Sequence, residues 1–233
     1  ALSAMSERVV GGRKRQREDG ALRPPEYTMG LVSEADGSAR FGLGATVVTA
    51  AVRGPRLSKG SALDALSGVS GAFTLDVHFR GPATMRQNET GRWKTFLADV
   101  LRPLILAERY PRSCLTLSLH CSHDDGAMLA AAVNAAAAAL VDAGVELRGI
   151  PVACQAGVDR DRKSLLLDPQ RSTDPTSAEA TFVFVAPEMH PVAVHQSGPI
   201  DPASLPELES MAQQACVSIA NLARHAVGVE TSA

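Results

Sequence analysis

Ten alanines lie between positions 127 and 143, and no other feature constrains the fold of this chain as strongly. Alanine is the best intrinsic helix former, so the segment predicts a helix. It also carries very little side-chain bulk. Such a helix packs close to its neighbours, and the expectation is a central helix lying tightly against a sheet. Gly144 follows at once and supplies the residue that commonly ends a helix.

The flanking segments supply the sheet. Strand-like patterns run over Thr28 to Ser33, Thr46 to Arg53 and Phe73 to Phe79, where Phe73, Leu75, Val77 and Phe79 alternate with polar residues. The stretch 54–71 holds Pro55, Gly60, Gly68 and Gly71 and reads as a loop. From Trp93 the period becomes helical through Phe96, Leu97, Val100, Leu101, Leu104 and Ile105, with Pro103 predicting a kink or break. Leu115, Leu117 and Leu119 alternate again as a strand. Further strands are expected at Val145 to Val158, Ser164 to Leu167, Ala180 to Val185 and Val192 to Val194, with a polar turn from Pro169 to Ser177. A last helix, about Pro206 to Val227, presents Met211, Ala215, Ile219 and Leu222 on one face. This order predicts a layered α+β domain rather than a doubly wound parallel sheet.

Composition narrows the function. Lys and Arg total 23 against 25 Asp and Glu, which excludes a protein that holds nucleic acid by bulk charge alone. Aromatic residues make up 4%, which argues against a platform of stacked rings. Cys114, Cys121, Cys154 and Cys216 form no CxxC pair, so neither a zinc site nor a disulfide framework is expected, and a reducing compartment is. No apolar run approaches the roughly 20 residues of a membrane span.

Few motifs carry chemistry. Phe41-Gly42-Leu43-Gly44-Ala45-Thr46 lacks the lysine of a phosphate loop and reads as a hairpin turn. His120, Cys121, His123, Asp124 and Asp125 are the densest group of metal-ligand types, yet strand alternation splits them between faces. Asp124 or Asp125 is expected to cap the alanine helix. Asp168, Asp174 and Glu179 lie in or beside the polar turn, where Asp168 and Asp174 precede prolines and fit turn-forming roles. Arg53, Arg56 and Lys59 in one loop, and Arg80, Arg86, Arg92 and Lys94 further on, give two basic segments able to meet phosphates.

The stretch Met29-Gly30-Leu31-Val32-Ser33-Glu34-Ala35-Asp36-Gly37-Ser38-Ala39-Arg40-Phe41, continuing through Gly44-Ala45-Thr46 to Ala51-Val52-Arg53-Gly54-Pro55, closely resembles the opening of RNase PH family proteins. Asn134-Ala135-Ala136, Ala139 to Val145 and Leu167-Asp168-Pro169 extend the likeness in the family's order over roughly residues 15–228, and within the family it is most similar to the exosome ring subunits. The resemblance implies a single domain of the RNase PH type (ribosomal protein S5 domain 2-like), with a mixed sheet and packed helices. The domain is expected over 23–228, between a basic tail over 1–22 and a short tail over 229–233.

The same resemblance implies a place in a hetero-oligomeric ring of six, with other RNase PH type subunits and RNA-binding cap subunits as partners and RNA in a central channel. The compartments it implies are nucleus, nucleolus and cytoplasm. It implies no cofactor, no resident metal and no membrane partner. Active relatives hold phosphate with a Ser/Thr-Arg pair at the start of the central helix and use two aspartates six residues apart. Those positions fall here on Met128 and Leu129, and on Asp174 and Ala180, with Glu179 one residue from the last. The expectation is a catalytically silent subunit that contacts RNA through Arg92, Arg56, Lys59 and Arg86. The alternatives are an active nuclease, phosphorolytic through Asp174 and Glu179 or metal-assisted through His123 and Asp124, and a free-standing RNA-binding protein.

Overall fold

The computed structural model describes residues 22–57, 73–82, 85–161 and 163–226. The alanine segment forms helix α2 (Met128–Asp142), and from Met128 through Leu140 every residue is buried. A helix that is apolar on all sides must be covered on all sides. It packs on β2 (Gly37–Leu43) and β3 (Thr46–Leu57) of one sheet and on β6 (Ile150–Asp159) of another. Helix α1 (Gln87–Leu101) lies against β4 (Thr74–Arg80), and α3 (Leu205–Ala226) against β6.

The first sheet has the order β1-β2-β3-β5-β4, where β1 is Pro25–Met29 and β5 is Ser113–His123. Its β4–β5 pair is parallel and the other pairs are antiparallel, so the sheet is mixed. The second sheet, β7-β6-β8-β9, is antiparallel throughout, with β7 at Leu165–Leu167, β8 at Thr176–Ala186 and β9 at His190–Ser197. The α+β class with a mixed sheet and packed helices is the observed architecture.

Several local expectations hold for physical reasons. Leu43 pairs with Thr46 across Gly44 and Ala45, so the Gly-rich piece is a hairpin turn. Gly144 takes φ 67°, and Val145 N–H reaches back to the Leu140 carbonyl at 3.0 Å, a glycine-terminated helix end. Pro103 stops α1 at Leu101, and the chain continues as a short 3-10 turn over Arg102–Leu104. In α3 the buried stripe runs through Leu208, Ala212, Ala215, Cys216 and Ile219, with Met211 and Leu222 half-buried at its margins.

Other boundaries move. Helix α1 starts at Gln87, before the apolar period begins, because its polar first turn is held by the Glu89 carboxylate accepting from Arg86 N–H at 3.3 Å. Strand β1 lies earlier than Thr28 to Ser33, since Gly30 at φ 67° turns the chain and donates to Ser38 O at 2.8 Å. Val145 to Gly149 forms the exit from α2 rather than strand, and β6 starts only at Ile150. Part of the 54–71 loop, up to Leu57, is the end of β3; residues 58–72, Lys59 among them, lie outside the described residues.

Candidate functional site

The first turn of α2 opens on a cavity of about 380 Å³, bounded by the start of α1, the end of β5 and the faces of β6, β8 and β9. The turn that aims α2 is held from a distance. Arg23 is buried, and its Nε and Nη2 donate to the two Asp168 carboxylate oxygens at 2.7 and 2.5 Å, while Nη1 donates to Asp125 O at 3.1 Å. Thr46 Oγ1 donates to Gly126 O at 2.7 Å and accepts from Asp125 N–H at 2.9 Å. Gly126 has φ 95°, and a Cβ there would stand 2.4 Å from Pro169 O, so only glycine fits.

These contacts correct the expected cap. The residue before α2 is Ala127 in the left-handed region at φ 57°, and no side chain caps the helix. Asp124 accepts from Gly126 N–H at 3.0 Å and from Arg171 Nη1 at 2.5 Å, whereas Asp125 accepts from Ser172 N–H and Oγ at 3.0 and 3.1 Å. Both aspartates hold the 170–174 turn against the helix start. Asp168, expected as a turn former, takes φ 52° there and is fully buried, with Arg23 meeting its charge.

Met128 and Leu129 both line the cavity, as positions at the start of the central helix should, and are 5% and 2% exposed. Neither side chain offers an atom that can hold an anion. The two aspartate positions stand outside the cavity lining. Ala180 points into the core, fully buried, and Asp174 is used within its own turn, where its carboxylate accepts from Gln170 N–H at 3.0 Å. Neither reaches the cavity wall. The residues of β8 that do are Glu179 and Thr181, because alternation puts them on the face opposite Ala180. Glu179 accepts from Gln155 Nε2 at 2.7 Å and from Thr176 Oγ1 at 2.5 Å.

Arg92 lines the same cavity from α1, beside Trp93. Opposite it stands His195 of β9, edge-on to Phe96 with ring centroids 5.5 Å apart. Burial lowers the His195 pKa below its ordinary value, and the Arg92 charge lowers it further, so the neutral imidazole is favoured. Arg86 is exposed where α1 begins and is not part of the cavity wall. Arg56 is exposed near the end of β3 and pairs with Asp36 at 3.5 Å. The structure therefore gathers Arg92, Met128 and Leu129 and leaves Arg56 and Arg86 elsewhere.

The metal alternative finds little geometry. His123 is exposed, Asp124 is committed to Arg171, and among the described residues no three His, Cys, Asp or Glu side chains converge. Cys121 donates to the His123 carbonyl, and burial followed by the Asp124 charge pushes its thiol up to about 11. It stays protonated at neutral pH. Gln155, Thr181, His195 and Arg23 escaped the sequence reading. For Thr181 a signal exists, since Glu179 and Thr181 are the polar residues that interrupt β8 at alternate positions.

The charge balance decides what the cavity can grip. Among the described residues its walls carry Glu89, Asp124 and Glu179 against Arg92 and Arg171, and Arg171 is already paired with Asp124. A phosphate ion entering there meets more negative than positive side-chain charge. The bidentate cation that makes a phosphate grip strong is missing from the helix.

Residues 21–146 match the 3' exoribonuclease family, domain 1, the RNase PH domain. The human exosome complex component MTR3 is 33% identical over 194 residues, covering 76% of this chain and 71% of that protein. The Caenorhabditis elegans exosome complex component RRP46 homologue is 30% identical over 158 residues, covering 68% and 70%. Among solved structures, rice (Oryza sativa) Rrp46 superposes with a TM-score of 0.81 over 93% of this chain and 100% of that one, at 24% identity. The Archaeoglobus fulgidus exosome with RNA bound to the active site reaches 0.73 at 18% identity over 90% of this chain and 91% of that one, a likeness of fold. Extent, order and fold agree, and the chain belongs to the RNase PH type 3' exoribonuclease family.

Proposed function

We propose that this chain is a non-catalytic RNase PH type ring subunit of the RNA exosome, serving ring architecture and RNA passage in 3'-to-5' RNA processing and decay. The observation that carries this reading is the start of α2: Met128 and Leu129 face a cavity whose other walls, among the described residues, hold more carboxylates than free cations. Phosphorolysis needs inorganic phosphate held beside the RNA end, and this wall repels it. The domain is taken as 23–228, the partners as other RNase PH type ring subunits with RNA-binding cap subunits, and the compartments as nucleus, nucleolus and cytoplasm.

In this reading Arg92 contacts RNA at the cavity mouth, and Arg56, Lys59 and Arg86 add cations along the route. Phosphate-dependent shortening of a single-stranded RNA by the purified chain, alone and with its ring partners, tests the proposal. No shortening attributable to this subunit is expected. Robust phosphorolysis that disappears in Glu179→Gln or Asp174→Asn would overturn it and establish the active-nuclease alternative.

A further inference from the structure

The outer face of the five-stranded sheet carries cations that the cavity does not use. Strand register sets Thr28, Arg40, Thr49, His120 and Arg80 side by side across β1, β2, β3, β5 and β4. All five stand on one face, because their chain neighbours Phe41, Val48, Leu119 and Phe79 point into the core. At a strand spacing of about 4.8 Å the row is about 19 Å long. A second row beside it brings Ala51, Ser118 and His78 together. Between the rows lies an open depression of about 410 Å³.

Arg40, Arg80 and His120 are exposed, and among the described residues none has an ion-pair or hydrogen-bond partner. Asp76 is engaged by His78 at 3.0 Å and by Lys94 at 3.6 Å, and Glu26 stands at the far corner near Thr28. The middle of the face, Thr49, Ala51 and Ser118, is small and uncharged. A backbone bearing phosphates can come close there and take hydrogen bonds from the hydroxyls.

We propose that this face is a docking track for the phosphate backbone of single-stranded RNA, separate from the cavity. The inference rests on the exosome reading for the presence of RNA. The length and straightness of the row fit an extended polyanion, and contacts made to phosphates carry no base information, so binding is sequence-neutral. An acidic peptide fits less well. Strand addition lays a peptide along a sheet edge, whereas these rows run across the sheet from one edge strand to the other.

Fluorescence anisotropy of a labelled 20-nucleotide poly(U) RNA with the full chain, at 50 and 150 mM KCl, tests the track. Arg40→Glu combined with Arg80→Glu is expected to weaken binding on the order of tenfold at the lower salt. Arg40→Gln with Arg80→Gln, which reverses no charge, is expected to reduce the slope of log affinity against log salt by roughly 1.4, two phosphates at about 0.7 each. Unchanged affinity and slope in the Gln pair, with wild-type thermal melting, would overturn the proposal. So would variants that keep RNA affinity but no longer co-purify with ring subunits, since the face would then be a protein contact. Failure of the wild-type chain to co-purify with ring subunits would sink the exosome reading instead, and leaves the anisotropy comparison intact.

Discussion

Arg23 grips Asp168 with two side-chain hydrogen bonds at 2.7 and 2.5 Å, and both side chains are buried, at 4% and 0% exposure. The residues are 145 positions apart. Asp168 also accepts from the Arg23 backbone N–H at 3.1 Å, so the segment entering β1 is fastened to the turn after β7. Removing the guanidinium takes the paired cation away from a carboxylate that is fully buried.

Arg23→Ala is accordingly expected to cost about 3–5 kcal/mol. Urea denaturation followed by circular dichroism measures the loss. A cost below about 1 kcal/mol would show that the pair is not a structural tie.

Asn134 is fully buried in α2, where its Nδ2 donates to the Ala153 carbonyl and its Oδ1 accepts from the Ala153 N–H, both at 2.9 Å. The side chain completes the backbone pairing of β6. Asn134→Leu leaves both backbone groups unpaired, and at about 1–3 kcal/mol for each buried unsatisfied group the expected loss is roughly 2–6 kcal/mol. Chemical denaturation checks this, and a neutral substitution would contradict the assignment.

His195 gives a pH prediction. Its folded-state pKa lies below the unfolded value, so protonation favours the unfolded chain. The stability that depends on the neutral ring is complete above the ordinary value of about 6.5 and is lost as pH falls through the lowered folded value. Arg92→Ala removes the smaller of the two causes, so the pKa should rise without reaching the ordinary value. NMR titration of the imidazole, assigned with His195→Gln, measures it; a pKa that stays put would exclude the Arg92 charge as a cause.

A phosphate grip can be built into the first turn of α2. Met128→Ser with Leu129→Arg places a hydroxyl and a guanidinium at the first turn of α2, where the resemblance expects them. Calorimetric titration with inorganic phosphate is expected to detect millimolar binding in the double variant and none in the parent, an affinity worth about 4 kcal/mol. Equal binding by the two proteins would mean that the first turn does not decide phosphate affinity.

Elements set by local chemistry could be read from the chain itself. Ala127 to Ala143, Gly144 and the Leu43–Thr46 hairpin were legible because propensity, a left-handed glycine and turn composition act over a few residues. Parity was not. The resemblance puts the second position on Ala180 with Glu179 one residue away, and because a strand turns each successive side chain to the other face, only the structure shows that Glu179 and Thr181 face the cavity while Ala180 faces the core. The capping role expected of Asp124 and Asp125 failed for a different reason: Arg171 and Ser172, distant in sequence, claim those carboxylates. Arg23 carries no signal in the chain itself, because only tertiary contact reveals its partner.

The alanine helix meets tightly packed neighbours along most of its length and open space at its first turn. Enlarging a side chain in the packed part forces the surrounding layers apart, at about 1–3 kcal/mol for each overpacked site. At Met128 and Leu129 the cavity absorbs the change. Packing and chemistry thus occupy separable stretches of one helix, and the first turn can change its side chains while the rest keeps the shape by which neighbouring proteins know it.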